Sequence, residues 1–462
     1  MLKNKLHTAL SLFLCCLAAL GTHAQTVSFT LTETEITTQA SQTKLAVPSG
    51  KADLLSLFAT IKISSNNKPN FASTLGSAAT LPLSIATLQF NSMTGISIGG
   101  SRPVVPLESA PKDLYTTVLG LLNADITVNY GMVTAGTAWI AGTYATDLLF
   151  STNVTNNPPN KIQVTVPAFI TPHTQPPIAT LNVTTLAPFR GTETISATSA
   201  FDYYSSVETL LFLKAGSTFT FVPTQTYPTL PNLTNLSAVK ANLTDAAIAA
   251  PINLTSTDQP YTNSALGVVA TNKRAFTSSF TINAANLKST FTQAGTYTLP
   301  VTYSIQKTGS LYAGAVATQI MSSSVKLVVA KISEFSAVTT PVIFNFNSVA
   351  SYSAGLTATV TTPVTLSSTV PYSLSVKADG DFISGSNSIP AGVITIEGIT
   401  GQTGITPVVL SAASQNLVLA AIPEIDRVIN LQYRIPATQT NLLIGKPPGT
   451  YTANITYTLV AP

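Results

Sequence analysis

Short stretches in which apolar and polar residues alternate recur along the whole chain, rich in Val, Ile, Thr, Tyr and Phe. VSFTLT at 27–32, TFTFV at 218–222 and GVITIEG at 392–398 are examples, and Gly, Pro, Asn and Ser separate them. A period of two puts successive side chains on opposite faces, so each stretch predicts a strand with one buried face. Helical periodicity is scarce. LYTTVLGLLN at 114–123 and SAVKANLTDAAIAA at 237–250 are the two segments expected to form short connecting helices. The pattern therefore predicts an all-β protein.

The alternation is itself repeated. AlaGlyThrTyr at 141–144, AlaGlyThrTyr at 294–297 and ProGlyThrTyr at 448–451 place glycines at 142, 295 and 449, intervals of 153 and 154 residues. After each tyrosine an aliphatic residue follows at four positions (Leu148, Val301, Ile455) and an aromatic at six (Phe150, Tyr303, Tyr457). Even offsets share one face, so each copy predicts a strand burying all three side chains, entered through a turn at its glycine. Upstream, FATIKI, LLFLKA and YSLSVKA are each followed by a turn and then Phe71, Phe219 or Phe382. Their lysines, Lys62, Lys214 and Lys377, precede the glycines by 80, 81 and 72 residues. A third landmark, ITVNY, FTSSFTI or INLQYRI, precedes each GTY. Landmarks in constant order mark a repeat architecture. We expect three tandem β-sandwich modules at 25–155, 156–325 and 326–462, each of roughly 150 residues and seven to nine strands. KIQVTV from Lys161 and KLVVAK from Lys326 are read as equivalent first strands, with 155–160 as a linker.

Residues 1–24 have a basic start (Lys3, Lys5), an apolar stretch from Ala9 to Leu20 and a polar close, the layout of a secretory signal peptide cleaved near Ala24. The stretch is shorter than the ~20 apolar residues of a membrane span. No transmembrane segment is expected in the mature chain, which is placed outside the cell or on its outer surface. Cleavage removes both cysteines and two of the three histidines, leaving His173. That excludes a thiol nucleophile, a disulfide framework and a His/Cys zinc cluster. Without Lys3 and Lys5 the chain has 20 Lys+Arg against 18 Asp+Glu, and no basic patch that would suit nucleic acid. Charged residues are 9% of the sequence and apolar residues 45%, so Thr, Ser, Ala and Asn carry the polar surface of a chain apolar enough to fold.

The GTY strand, with a tyrosine entering a buried strand near the end of each module, resembles the penultimate strand of immunoglobulin-like sandwiches. In those folds the tyrosine bonds back to the preceding corner. In the third module YSLSVKADGDF, IPAGVITIEG, INLQYRI and PPGTYTANITYTL follow in an order that resembles the WxL-type, spore-coat-U and fimbrial-subunit type surface domains of bacteria. The resemblance implies an exported, immunoglobulin-like or fimbrial-like β-sandwich. The chain has no Trp-x-Leu motif, and Trp139 is its one tryptophan, so wall attachment is not implied.

Candidate chemistry is thin. Asp379-Gly380-Asp381 offers two oxygens of the six or more a calcium site needs and is read as a surface turn. Glu424 and Asp426 would share a strand face, as paired carboxylates do in glycosidases, but are read as surface charges. His173, in TPHTQPP, is read as a solvated loop histidine. Phe201-Asp202-Tyr203-Tyr204 is the best ligand-contacting patch, with Tyr203 and Tyr204 as the residues to test against a core-strand reading. No catalytic, metal-binding or cofactor-binding residue is assigned. The expected role is a surface structural or adhesive protein without catalytic activity, whose partners are other surface proteins, glycans or copies of itself. The alternatives are a polymerising fimbrial-type subunit and a secreted carbohydrate-binding protein. In the fimbrial alternative the GTY strand is the last of its module, its edge is open, and TVSFTLTETEITTQ is a candidate donor strand.

Overall fold

The computed structural model describes residues 25–52, 58–95, 100–118, 124–151, 160–337 and 340–461. The signal peptide lies outside the described residues, and so does the expected linker except for Asn160. The chain is all-β, and its buried apolar side chains gather in three clusters, drawn mainly from 27–169, 170–329 and 360–435. The alternating stretches fall where expected. Lys62, Lys214 and Lys377 lie in strands Thr60–Ser64, Thr209–Ala215 and Tyr372–Ala378. The strands before each GTY are Ala124–Met132, Lys273–Ile282 and Leu431–Pro436.

The expected helix at 237–250 does not form, and of the one expected at 114–123 only 114–118 lie within the described residues, in no helix. Leu114 to Thr116 belong to strand Lys112–Thr116, while Leu236–Ala238 is one 3₁₀ turn followed by strand Lys240–Leu243. In the latter strand Ala241 and Leu243 point into the core, so a period of two wins over the helical one once a sheet neighbour, Lys273–Ile282, is available. A helix that periodicity did not reveal, Glu33–Thr38, is set by a capping box. The Thr32 hydroxyl accepts from the Glu35 N–H at 3.2 Å, and the Glu35 carboxylate accepts from the Thr32 N–H at 2.8 Å.

Module limits shift with strand pairing. Asn160–Val166 is a closing strand, not an opening one. It runs antiparallel to the GTY strand Gly142–Ser151 and parallel to Thr26–Thr30. Gln319–Val329 does the same in the second sandwich, antiparallel to Gly295–Lys307 and parallel to Ala179–Val183. Strand pairing thus groups residues of about 26–166, 170–329 and 333–460, beside the expected limits of 25–155, 156–325 and 326–462. Cutting at 155 or 325 would strip a sheet of the strand that covers its core.

Specific bonds join the sandwiches. Asn272, buried and in left-handed backbone conformation, accepts from the Trp139 N–H at 3.0 Å and donates to the Trp139 and Ser205 carbonyls at 2.8 Å each. The Ala141 N–H donates to the Ser206 carbonyl at 2.8 Å. Between the second and third sandwiches the Ala294 N–H donates to the Thr369 carbonyl at 2.8 Å. There too Asp426 takes Lys288 at 2.8 Å and Arg190 at 3.0 Å, while Arg190 also holds Glu334 at 3.2 Å. Backbone bonds thus cross both junctions.

Candidate functional site

The three GTY strands share one local design. The Tyr144, Tyr297 and Tyr451 hydroxyls each donate to the carbonyl four residues earlier, of Ile140, Gln293 and Pro447, at 2.9 Å in every copy. The glycine is required because another strand crosses it closely. A Cβ on Gly142 would sit 2.7 Å from the Ser77 Cβ, one on Gly295 2.4 Å from the Phe221 ring, and one on Gly449 2.9 Å from the Ser384 Oγ. In the first two copies the expected entry turn is thus a close crossing at the first residue of the strand, whereas Gly449 precedes strand Ile455–Val460.

The surroundings then diverge. In the second sandwich the GTY strand has Thr209–Ala215 and Thr220–Pro223 along one edge and Gln319–Val329 along the whole of the other. In the third, Ile455–Val460 pairs with Tyr372–Ala378, and Thr452 exchanges two backbone bonds with Ile383, all on one edge. No described residue pairs with the other edge. The segment 341–347 precedes the short helix Val349–Ala354 as Ala179–Val183 precedes Ala187–Arg190. Its side chains alternate, Val342, Phe344 and Phe346 half-buried against the third core and Ile343 and Asn345 exposed, and no backbone bond ties it to a sheet among the described residues. In the first two sandwiches the corresponding edge is covered by Asn160–Val166 and Gln319–Val329.

Burial records the vacancy. Tyr144, Leu148, Phe150, Tyr297, Val301 and Tyr303 are at most 1% exposed, whereas Tyr451, Ile455, Tyr457 and Leu459 are only half-buried. The Tyr457 and Tyr433 hydroxyls meet at 2.6 Å on the inner side, and burial pushes both phenols up. Exposed large apolar side chains also crowd this sandwich: Ile343, Val349, Ile383, Leu419, Ile422, Ile444 and Val460 among them. The proposed donor TVSFTLTETEITTQ is already used. Thr26–Thr30 pairs with Asn160–Val166, and Val27, Phe29 and Leu31 are buried in the first core.

The residues singled out from sequence lie elsewhere. Tyr203 is in the second core, its hydroxyl bonded to Thr209 at 2.7 Å and its ring stacked on Phe276, so it faces no solvent. Tyr204, the next residue along the strand, is half-buried on the outer face between His173 and Lys273. His173 is exposed, as expected, but lies on the end of strand Ile170–Thr174 and meets Asp202 at 2.7 Å, so it is a paired strand residue and not a loop one. Burial pushes the Asp202 carboxyl up, but hydrogen bonds from Lys273, His173 and Thr174 outweigh it and hold the group below the usual carboxylate range. A cavity of about 270 Å³ lies beside it, lined by Ala200, Phe201, Asp202, Asp245 and Ala275 among others. Asp379 accepts from the Asn454 backbone and side chain at 3.0 and 2.7 Å, and Asp381 accepts from the Ala391 N–H at 3.0 Å, so both carboxylates pin turns. Glu424 and Asp426 do not act as a pair. Asp426 has positive φ and turns to the second sandwich, while Glu424 meets Arg427.

No family model matches the chain, and no curated protein matches it. Among solved structures it is similar to CfaE, the adhesive subunit of CFA/I fimbria of enterotoxigenic Escherichia coli, at 10% identity over 67% of this chain and 99% of that one, TM-score 0.30. A chain of the CsuC–CsuE chaperone–tip adhesion subunit complex from archaic chaperone-usher Csu pili of Acinetobacter baumannii matches at 12% identity over 63% and 99%, TM-score 0.27. The CooA pilin subunit from enterotoxigenic Escherichia coli matches at 14% identity over 35% and 99%, TM-score 0.22. Likeness at this level carries no functional inference. No helix among the described residues is long and apolar enough to cross a membrane.

Proposed function

We propose that the chain is a surface subunit of fimbrial type whose third sandwich is completed by an extended strand that the described residues do not supply. The observation that carries the reading is the contrast within the molecule: two sandwiches with a strand along the outer edge of GTY, and a third in which no described residue pairs with that edge. An unpaired edge beside half-buried apolar side chains gains ladder hydrogen bonds and apolar burial when an extended segment is added. In this reading the chain holds partners together and performs no chemistry. The first sandwich's own opening strand is excluded as the donor, since removing it would uncover Val27 and Phe29.

Amide exchange on the isolated chain tests this. Amides of 449–460 are expected to exchange far faster than those of Gly295–Lys307, and to become protected in chain recovered from its native surface assembly. Equal protection of the two strands in the isolated chain would show the third sandwich closed without a partner.

A further inference from the structure

Among the described residues only two strand pairs run parallel, and each joins a strand near the start of a sandwich to its closing strand. Thr26–Thr30 lies beside Asn160–Val166, from Thr26 opposite Lys161 to Thr30 opposite Thr165. Ala179–Val183 lies beside Gln319–Val329, from Ala179 opposite Val325 to Val183 opposite Val329. Further bonds lengthen both ladders. The Lys161 N–H donates to the Gln25 carbonyl at 3.1 Å, the Leu31 N–H to the Thr165 carbonyl at 2.9 Å, and the Ala330 N–H to the Val183 carbonyl at 2.9 Å. On the core face Val27, Phe29, Ile162 and Val164 cover the first ladder, and Leu181, Val183, Leu327 and Val329 the second, all buried. Water does not reach these bonds from that side to replace them as they break.

Direction decides how such a ladder meets a pull along the chain. In the first sandwich the chain enters at Thr26 and leaves at Val166, and because the two strands are parallel these points stand at opposite ends of the ladder. Tension slides one strand lengthwise past the other and strains all five residue pairs together. One backbone bond is worth only about 0.5–1.5 kcal/mol net. Bonds that must break at once raise the barrier far more than the same bonds broken in turn, and forced unfolding follows that barrier, not equilibrium stability. The second sandwich repeats the geometry between Ala179 and Val329. Its short first strand, Ile170–Thr174, pairs with Ile195–Ser205 in the other sheet and lies ahead of the parallel ladder.

The third sandwich meets the same pull differently, since every described pairing in it is antiparallel. The chain enters with Ser333 opposite Ser368 and leaves with Val460 opposite Ser373. Ser368 and Ser373 are close in sequence, which keeps them within about 18 Å of each other, so both pulling points stand at one end of the sandwich. Tension there peels Ile455–Val460 from Tyr372–Ala378 one pair at a time, beginning at Val460. We propose that the chain is a tension-bearing link: the parallel ladders of the first two sandwiches are clamps against a pull along the chain, and the third sandwich yields before them. Both clamps lie away from the outer edge of the third sandwich, so the proposal goes beyond the acceptance of a strand and does not rest on it.

Single-molecule stretching of the chain, gripped at Gln25 and Pro462, tests this. Each sandwich releases about 3.3–3.6 Å per residue as it unfolds, and the different lengths of 26–166, 170–329 and 333–460 identify which has given way. The third is expected to open first, and the other two at no less than about twice its force. A second pull separates geometry from stability. The stretch 25–462 holds no cysteine, so Lys161→Cys places a unique grip at an exposed position, facing Gln25 at one end of the first ladder. Gripped at 25 and 161, the same ladder unzips, and the force that opens the first sandwich is expected to fall at least about twofold. Equal forces for the three sandwiches in the end-to-end pull would overturn the proposal, and so would an unchanged force for the first sandwich gripped at 25 and 161. Neither result decides strand acceptance, which amide exchange tests by itself.

Discussion

The second and third sandwiches begin alike and finish differently. Both carry the lysine strand, the crossing strand with its phenylalanine, the GTY glycine under close approach and the tyrosine bonded four residues back. In the second, eleven residues of closing strand, Gln319–Val329, lie along GTY from Gly295 to Ile305. In the third that edge is bare, and side chains of the same type change from buried to half-buried. A tyrosine corner and a strand's alternation are thus local properties, whereas burial of that strand belongs to its neighbour.

Substitutions sharpen the contrast. The largest effect is expected from Leu327→Ala, which opens a cavity under the closing strand and costs the second sandwich about 2–5 kcal/mol in denaturant unfolding. Leu459→Ala, on the half-buried strand of the third, should cost about 1 kcal/mol or less in the isolated chain. Equal losses would mean that the third sandwich is as tightly closed as the second.

Gly295→Ala is next, at about 1–3 kcal/mol, because the new methyl meets the Phe221 ring and the Val222 carbonyl. Gly449→Ala meets only a serine hydroxyl, which can rotate away, and should be milder by calorimetry on each variant.

Loss of the corner hydroxyl follows. Tyr297→Phe leaves the buried Gln293 carbonyl without its donor and should cost about 1–2 kcal/mol. Tyr451→Phe, where water can replace the donor, should stay within about 0.5 kcal/mol. If a filling strand is added, the second value should rise towards the first.

The smallest effect concerns the junction of the two. Hydrogen bonds from Lys288, then Arg190, outweigh burial and hold the Asp426 carboxyl below the usual carboxylate range. Its contribution is therefore complete above the unfolded value of about 3.9 and is lost as pH falls through the lower folded value. The pairs are partly exposed, so about 1 kcal/mol at most is involved. Small-angle scattering between pH 5 and 2.5 should show the angle between the sandwiches loosening only at the acid end. Asp426→Asn should show that looseness already at pH 7, and a pH-independent profile in the unsubstituted chain would remove Asp426 from this role.

Much of this was legible because the relevant signals are local. Alternation placed the strands, and the spacing of GTY placed three copies of one corner. The Thr32–Glu35 capping box was also legible as a T-x-x-E signature, but it sat inside a segment read as a donor strand. Tyr203 and Tyr204 show the limit. Adjacent strand residues face opposite sides, so one had to be buried, yet only the pairing of Ile195–Ser205 with its neighbours decides which. The Asp426 charge cluster was beyond sequence reading because its partners lie 138 and 236 residues away.

What the sequence determined by itself is the repeated strand: glycine, tyrosine and the inward aromatic that follow from a period of two and a fixed spacing. What only the tertiary structure decided is which strand lies beside it. KIQVTV and KLVVAK have the composition of any buried strand, which sequence order alone makes openings. Hydrogen bonding to the preceding GTY strands makes them closures, because backbone pairing joins edges that sequence order does not name. The same reason makes the unpaired third edge visible only in space: nothing in PPGTYTANITYTL differs in kind from its two relatives except that no described strand lies along its outer edge.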